Sequence, residues 1–453
     1  MTTPEISAKR ANEAAIGAIV GAVNDAVKDA VAALDAWFEH MRGPGGYGGP
    51  VAHWWQQSLL YTGAGLDWRY EGLMMGYLTL WERTGNARWL AKARRAGDDL
   101  VAGQLASGHY TASAFEINPA TAGTPHEAAC DASLLALAMA LRQAGQRGWE
   151  TYAVRAEYNL RSFYIAQLWN AEIQAFADDP RADAFVPNKA ATAAEAMFLL
   201  SELTGNEMWA ERYALPTLHR VMAHQVQGQS WLDGAIAQST LNHRRIEKYF
   251  PYYISRCIPA LLRGYRWTND ERYAASALRA MTFIAQWLQE DGSLPTVVYP
   301  NQRINRYPAW IAPLGDVLRA ADELRPYGWD GDLSATEEWL LRGQDASGGI
   351  QTARGFGRQA AGARPASVPD VRDVLHVAGW CDKAFRYLAA HVSGELPTGT
   401  SAPFETACAF QGQPMHLIET PEKLEISTRG RLCYRWQKGN PWAETASPAF
   451  WLR

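Results

Sequence analysis

Glu82-Arg83-Thr84-Gly85-Asn86-Ala87-Arg88-Trp89-Leu90-Ala91-Lys92-Ala93 ends one helix, turns at once and opens the next. Thr84 and Asn86 have side chains that cap backbone groups, and Gly85 takes positive φ without steric cost. Trp89 falls in the first turn of the new helix, where it can pack back on the old one. The unit returns as Glu202-Leu203-Thr204-Gly205-Asn206-Glu207-Met208-Trp209, and more loosely as Trp267-Thr268-Asn269-Asp270-Glu271-Arg272-Tyr273. A degenerate copy surrounds Gly148-Trp149. Trp89, Trp149 and Trp209 lie 60 residues apart and Tyr273 follows after 64. A steady period marks a repeated supersecondary unit.

A second marker travels with the first. Gln104-Leu105-Ala106-Ser107-Gly108 closes the helix that Trp89 opens. Gln286-Trp287-Leu288-Gln289-Glu290-Asp291-Gly292 and Gln344-Asp345-Ala346-Ser347-Gly348-Gly349 do the same later, with Gln167 and Gln225 as weaker copies. These five glutamines are 63, 58, 61 and 58 residues apart, and Gly45-Gly46-Tyr47-Gly48 lies one period before the first. The unit is helix, tight turn, helix, Gln-x-x-x-Gly exit, long loop. Six such hairpins predict a closed ring of twelve helices.

Apolar periodicity predicts a long first helix over 10–42 and a short one near 53–61. Hairpins follow over 66–83 and 87–104, 126–145 and 148–168, 189–204 and 207–227, 247–267 and 270–289, and 309–325 and 334–344. A last helix over 370–391 would close the ring on the first. The connections are lopsided: tight within a hairpin, long between hairpins. Long loops in a compact domain are usually functional. All leave from one end, so that end should carry the site. The helices that follow them would point their positive N-termini there, favouring an anionic group. Residues 415–419, 423–427 and 431–436 read as strands. The expected division is a helical barrel over 1–395 and a small β-rich appendage over 396–453.

The bulk numbers agree with one large domain. Of 453 residues, 48% are apolar, which supports a sizeable core. Nineteen Trp and nineteen Tyr suit an aromatic-lined hollow. A net charge of −4 gives no reason to expect nucleic acid or a membrane surface as partner. The five cysteines are scattered and odd in number, which fits reduced thiols and a cytoplasmic location. The apolar stretch from Ala14 to Val23 follows Lys9 and Arg10 like a leader, but its helical period continues through Asn24-Asp25-Ala26-Val27-Lys28-Asp29, so it reads as a helix. No cofactor and no metal is assigned.

A ring of hairpins with Thr-Gly-Asn turns and Gln-x-x-(Asp/Ser)-Gly-Gly exits resembles the (α/α)6 toroids, in particular the six-hairpin glycosidase superfamily. The resemblance covers roughly 10–391. It implies an all-α (α/α)6 toroid with a small C-terminal β-appendage, and a carbohydrate-active enzyme: glycoside hydrolase, polysaccharide lyase or sugar epimerase. It is specific for fold and does not select the reaction. The Asp-His-Asp pattern of glucuronyl hydrolases is absent, and the paired histidines of sugar 2-epimerases are not evident. Terpene cyclases are also toroidal, but their Asp-x-Asp-Asp is missing. Asp178-Asp179-Pro180 reads as a solvated turn. Lanthionine cyclases hold zinc with Cys and His, but His376 and Cys381 have no companion pair. A non-catalytic glycan-binding protein is the remaining class.

Four stretches carry possible chemistry. Asp67-Trp68-Arg69-Tyr70-Glu71 opens a ring helix at the long-loop end. His126-Glu127-Ala128-Ala129-Cys130-Asp131 sets two carboxylates on one helix face with room beside them, which raises one pKa as a general acid needs. His243-Arg244-Arg245-Ile246-Glu247-Lys248-Tyr249 and Arg303-Ile304-Asn305-Arg306-Tyr307-Pro308-Ala309-Trp310 bring Arg, Tyr and Trp to the mouth. Arginine forks onto carboxylates, and aromatic rings stack on sugar faces. Glu71, Glu127, Asp131 and Glu247 are the candidate acids and bases for cleaving a glycosidic bond, which needs two carboxyl groups. Trp68, Arg69, His126, His243, Tyr249, Arg303, Arg306, Tyr307 and Trp310 are the candidate substrate contacts. The expected substrate is an oligosaccharide with an acidic, uronate-like sugar. A set of Tyr, His and Arg would serve elimination or epimerisation instead.

Overall fold

The repeated turn folds as its residues dictate. Gly85 closes a helix at φ 67°, and the Asn86 side chain accepts the Arg88 N–H at 3.1 Å to start the next. Gly205 and Asn206 repeat this, with φ 70° and a 3.2 Å bond to the Met208 N–H. In the third copy Asn269 takes the left-handed position at φ 59° and Asp270 caps the Arg272 N–H at 3.0 Å. Asn tolerates this region better than other side chains do. Trp89 is buried and stacks on Tyr77 of the preceding helix, at 6.0 Å between ring centroids. Truncating such a side chain to alanine costs about 3–5 kcal/mol.

The computed structural model describes residues 25–51, 60–62, 64–111, 126–180, 183–228, 230–358, 368–440 and 443–445. An inner ring is made by α2 (Arg69–Thr84), α4 (Ala128–Gln143), α6 (Pro187–Thr204), the broken pair α8 (Pro251–Ser255) and α9 (Ile258–Thr268), α11 (Leu314–Leu324) and α14 (Ala378–Ala389). Each packs on the next, and α14 closes on α2. Outside them lie α1 (25–40), α3 (Ala87–Ala102), α5 (Trp149–Asn159), α7 (Leu215–Ala223), α10 (Glu271–Ala285) and α12 (Ser334–Leu341). A short α13 (Val371–Val374) precedes α14. The architecture is an (α/α)6 toroid, as the repeat predicts.

Small residues let the inner helices close. A Cβ at Gly72 of α2 would stand 2.4 Å from the Asp382 carbonyl oxygen of α14. The glutamine exits have a tertiary purpose. The Gln104 amide donates to its own loop at Gly108 O and across to Arg155 O of α5, at 3.0 and 2.8 Å. Gln225 reaches Ser276 O of α10 at 2.9 Å. Gln344 reaches Ala30 O of α1 at 2.9 Å and so closes the outer ring. Beside it Gly348, at φ 92°, lies so near α1 that a Cβ would stand 2.4 Å from Ala33 O.

Several boundaries differ from the periodic reading. Leu60–Thr62 is a strand paired with Gly49–Val51, not part of a helix. The expected helix over 247–267 is two short ones. It is preceded by a strand at Arg244–Ile246, and Pro251 and Pro259 mark the starts of the two pieces. Leu160–Leu168 and Ala210–Ala214 are π-helical stretches. The expected helix over 370–391 breaks at Leu375, which is extended. Residues 10–24 and 52–59, on which parts of the first two expected helices fall, lie outside the described residues.

The tail is a five-stranded antiparallel meander, Phe404–Phe410, Gln413–Glu419, Lys423–Thr428, Arg431–Gln437 and Ala443–Thr445, two strands more than expected. Its joint with the barrel is charged. His376 is buried between Glu419 of the sheet, at 2.5 Å, and Asp345, at 2.9 Å. Glu419 also accepts from Trp37 Nε1–H at 2.8 Å and Lys438 at 2.7 Å. Burial opposes charge on His376, but Glu419 and Asp345 overcome it and lift its pKa to about 9. Cys381 donates to Ile350 O at 3.3 Å, so these two residues face different partners.

Candidate active site

The N-terminal turns of five inner helices meet at the long-loop end around a cavity of about 430 Å3. Trp68 stands at the start of α2, Ala129 in α4, Lys189 in α6, Tyr252 in α8 and Trp380 in α14. Their dipoles present positive ends to this space. The indoles of Trp68 and Trp380 lie 4.5 Å apart, and Tyr252 meets Trp380 edge-on at 5.8 Å. His126 and Tyr253 complete the aromatic lining. The far wall is a small sheet in which Ser239–Leu241 pairs with Ala184–Phe185 and with Arg244–Ile246.

Three cations face the cavity: Lys189, Arg256 and Lys383. Asp178 is the one carboxylate lining it among the described residues, and it forms an ion pair with Lys189 at 2.8 Å. Arg256 and Lys383 belong to a buried network beneath. Arg256 donates to Glu71 at 2.7 Å and to Asp316 at 3.3 Å. Arg386 donates to Glu71 at 2.8 Å and also binds Asp316. Lys383 donates to Asp382 at 2.6 Å and to the Trp68 carbonyl at 3.0 Å. Burial alone would raise the Glu71 pKa, but Arg256, Arg386 and Lys383 together hold it well below the usual carboxylate range. Asp316 is held down in the same way. Burial pushes Asp382 up to about 7, against the pull of Lys383. Near neutral pH this cluster therefore carries more positive than negative charge. Burial, with Lys189 nearby, lowers His126 to about 3, so its ring is neutral.

The four expected carboxylates do not converge on this space. Glu71 is fully buried beneath it and stays ionised, so it braces the cations and has no proton to give. Glu127 and Asp131 are buried elsewhere. Glu127 accepts from Asn159 at 2.6 Å and contacts His109 at 3.1 Å, while Asp131 accepts from the Tyr110 hydroxyl at 2.8 Å. Burial raises Asp131 strongly, with Glu127 adding to it. Glu247 is exposed.

Of the expected contacts, Trp68 and His126 line the cavity. Arg69 is buried and forks onto Asp67 at 2.8 and 3.0 Å, which removes it from substrate. His243 is exposed beside Asp183, and Tyr249 is buried with its backbone paired to Val298. Arg303 lies over Tyr299, away from the cavity. Trp310 backs Trp380 at 5.4 Å, while Arg306 and Tyr307 line a neighbouring groove. Asp178, read as a solvated turn, lines the cavity instead. Lys189, Arg256 and Lys383 were missed. Their one signal was a charge inside a run of small or apolar neighbours, as in Pro187-Asn188-Lys189-Ala190-Ala191.

The (α/α)6 toroid is shared with solved structures of sugar-processing enzymes at low sequence identity. A sugar epimerase from a ruminal bacterium matches with a TM-score of 0.59 and 14% identity, over 82% of this chain and 98% of that one. The unsaturated glucuronyl hydrolase of Bacillus sp. GL1 gives 0.57 and 14%, over 81% and 95%. Cellobiose 2-epimerase from Bacillus thermoamylovorans B4167 gives 0.56 and 13%, over 78% and 94%. No family model and no curated protein matches the sequence. Among the described residues no helix is long and apolar enough to cross a membrane.

Proposed function

We propose that this chain is a carbohydrate-active enzyme whose oligosaccharide substrate carries an acidic, uronate-like sugar in the cavity between Trp68, Trp380 and Lys189. The observation that carries the reading is charge: three cations and five helix N-termini border the cavity, against the single carboxylate Asp178 among the described lining residues. Indole and phenol faces suit a sugar ring, and the cationic floor suits its carboxylate. The fold relatives include enzymes named for glucuronyl and cellobiose substrates.

The reaction this cavity serves best is proton transfer at the carbon beside the acid, giving elimination or epimerisation. His126 is neutral and able to accept a proton, and Arg256 and Lys383 of the same lining would steady negative charge that develops on the substrate. A bound carboxylate would raise the His126 pKa from its resting value towards a useful range. Glycoside hydrolysis is the second reading, favoured by Asp178. It needs a partner carboxyl that Glu71, ionised beneath the floor, does not supply. The test is incubation of the protein with uronate-containing oligosaccharides in deuterated water. Reducing ends report hydrolysis, ultraviolet absorbance reports an unsaturated uronate, and deuterium at the sugar carbon reports epimerisation. Uronates that neither bind nor react, with neutral sugars binding well, would sink the acidic-sugar reading.

A further inference from the structure

We infer that a groove beside the cavity is an outer binding stretch for a longer anionic sugar chain, so that the protein takes a polyuronate across both hollows. This rests on the acidic-sugar reading above. The groove measures about 1010 Å3 and is built from the long connections after α10 and α12, at the same end of the ring as the cavity. The two hollows share no lining residue, and Trp310 is the buried wall between them. Trp310 backs Trp380 of the cavity at 5.4 Å, and its carbonyl accepts from Trp339 Nε1–H, a residue of the groove, at 2.9 Å. The strand Ala309–Trp310 pairs with Ala353–Arg354, which ties that wall to the groove's arginines.

The groove's charges are unevenly used. Arg354 lies over the Trp339 ring at 4.9 Å and Arg358 over Tyr307 at 4.0 Å, with Arg306 nearby. A guanidinium over an aromatic ring still has N–H groups to offer a carboxylate. None of the three forms an ion pair with a carboxylate among the described residues. Three of the groove's four acids among the described residues are already engaged. Asp291 accepts from the Ser293 N–H and hydroxyl at 3.0 and 2.6 Å. Asp370 is held by Arg372 at 2.7 Å, and Asp373 accepts the N–H groups of Phe356 and Asp370 at 2.9 and 3.0 Å. Burial also lifts Asp373 to about 7, which trims its negative charge. Glu290 is exposed at the rim. A concave surface whose acids are mostly engaged and whose three arginines form no ion pair among the described residues is complementary to a chain of carboxylates.

The test is calorimetric titration of the full chain with digalacturonate, hexagalacturonate and a neutral glucose hexamer. The dimer reports the central cavity alone. The hexamer should bind roughly tenfold more tightly than the dimer, as one or two charge-assisted hydrogen bonds allow. The double variant Arg354→Ala, Arg358→Ala should lose that gain and keep the dimer affinity; both side chains are at least partly exposed, so the fold should survive. Equal binding of dimer and hexamer, a gain that outlasts the double variant, or an equal gain for the neutral hexamer would overturn the inference and leave the cavity reading standing. Failure of both uronates to bind would overturn both.

Discussion

Two buried charge clusters hold this molecule together, and they differ in what lies beside them. At the ring axis Glu71, Asp316 and Asp382 meet Arg256, Lys383 and Arg386, and two of those cations also border an open cavity. At the joint with the sheet, Asp345, His376, Glu419 and Lys438 bind one another. The joint lines neither the cavity nor the groove. Both clusters cost desolvation, and both repay it through geometry. The joint therefore reads as a clasp, whereas the axis also projects a field into a hollow. Burial of charge by itself does not single out the candidate site; charge at the boundary of burial does.

The sharpest way to break this comparison is to remove one cation from each cluster. Arg386→Met should cost about 3–5 kcal/mol in urea unfolding, because Glu71 and Asp316 both lose a partner inside the protein. Lys438→Met should cost less, about 1–3 kcal/mol, since Glu419 keeps His376 and Trp37. Equal losses would mean that the two clusters are equivalent.

The pH dependence should separate them by window. Asp382 is raised from 3.8 to about 7, so its folded form holds a proton that the unfolded chain releases. Stability from this group is full below about pH 4 and is lost as pH rises through 7. His376 is raised from 6.5 to about 9, so its contribution is full below about pH 6.5 and is lost as pH rises through 9. The Asp382 step is on the order of 4 kcal/mol and the His376 step on the order of 3 kcal/mol. Asp382→Asn should erase the lower step and His376→Gln the upper, as read from unfolding free energy between about pH 4 and 10. A single shared window would refute the separation.

Smaller effects should follow at the cavity. Lys189→Ala should weaken binding of an acidic disaccharide roughly tenfold and shift unfolding by no more than about 0.5 kcal/mol. A change in stability without a change in binding would make Lys189 a structural partner of Asp178 only. Glu247→Gln, at an exposed position, should alter stability by less than about 0.5 kcal/mol and leave turnover of the same substrate unchanged. Loss of turnover in that variant would return the acid to the rim.

The fold was legible because its signals are local. A Thr-Gly-Asn turn is made of capping bonds spanning two to four residues, and the period repeats that chemistry around the ring. The candidate site was legible only in part. Trp68 and His126 were found because they sit at helix starts facing the long loops. Glu127 and Asp131 carried the same pattern, but a helix face does not say which neighbour it meets. Here they meet Asn159, His109 and Tyr110.

The sequence by itself determined the repeated hairpin, the end that carries the long loops and the strand-rich tail, because each depends on contacts between near neighbours in the chain; the ring was legible only through the count of repeats, since it is closed by contacts such as Gln344 to Ala30, far apart in sequence. Only the tertiary structure decided which charges matter. Asp178, Lys189, Arg256 and Lys383 come from four different parts of the chain and meet at one cavity. Glu71 joins cations 185 and 315 residues away, and that pairing turns it from a possible proton donor into a fixed anion. A charge takes its meaning from its surroundings, and its surroundings are set when distant segments pack.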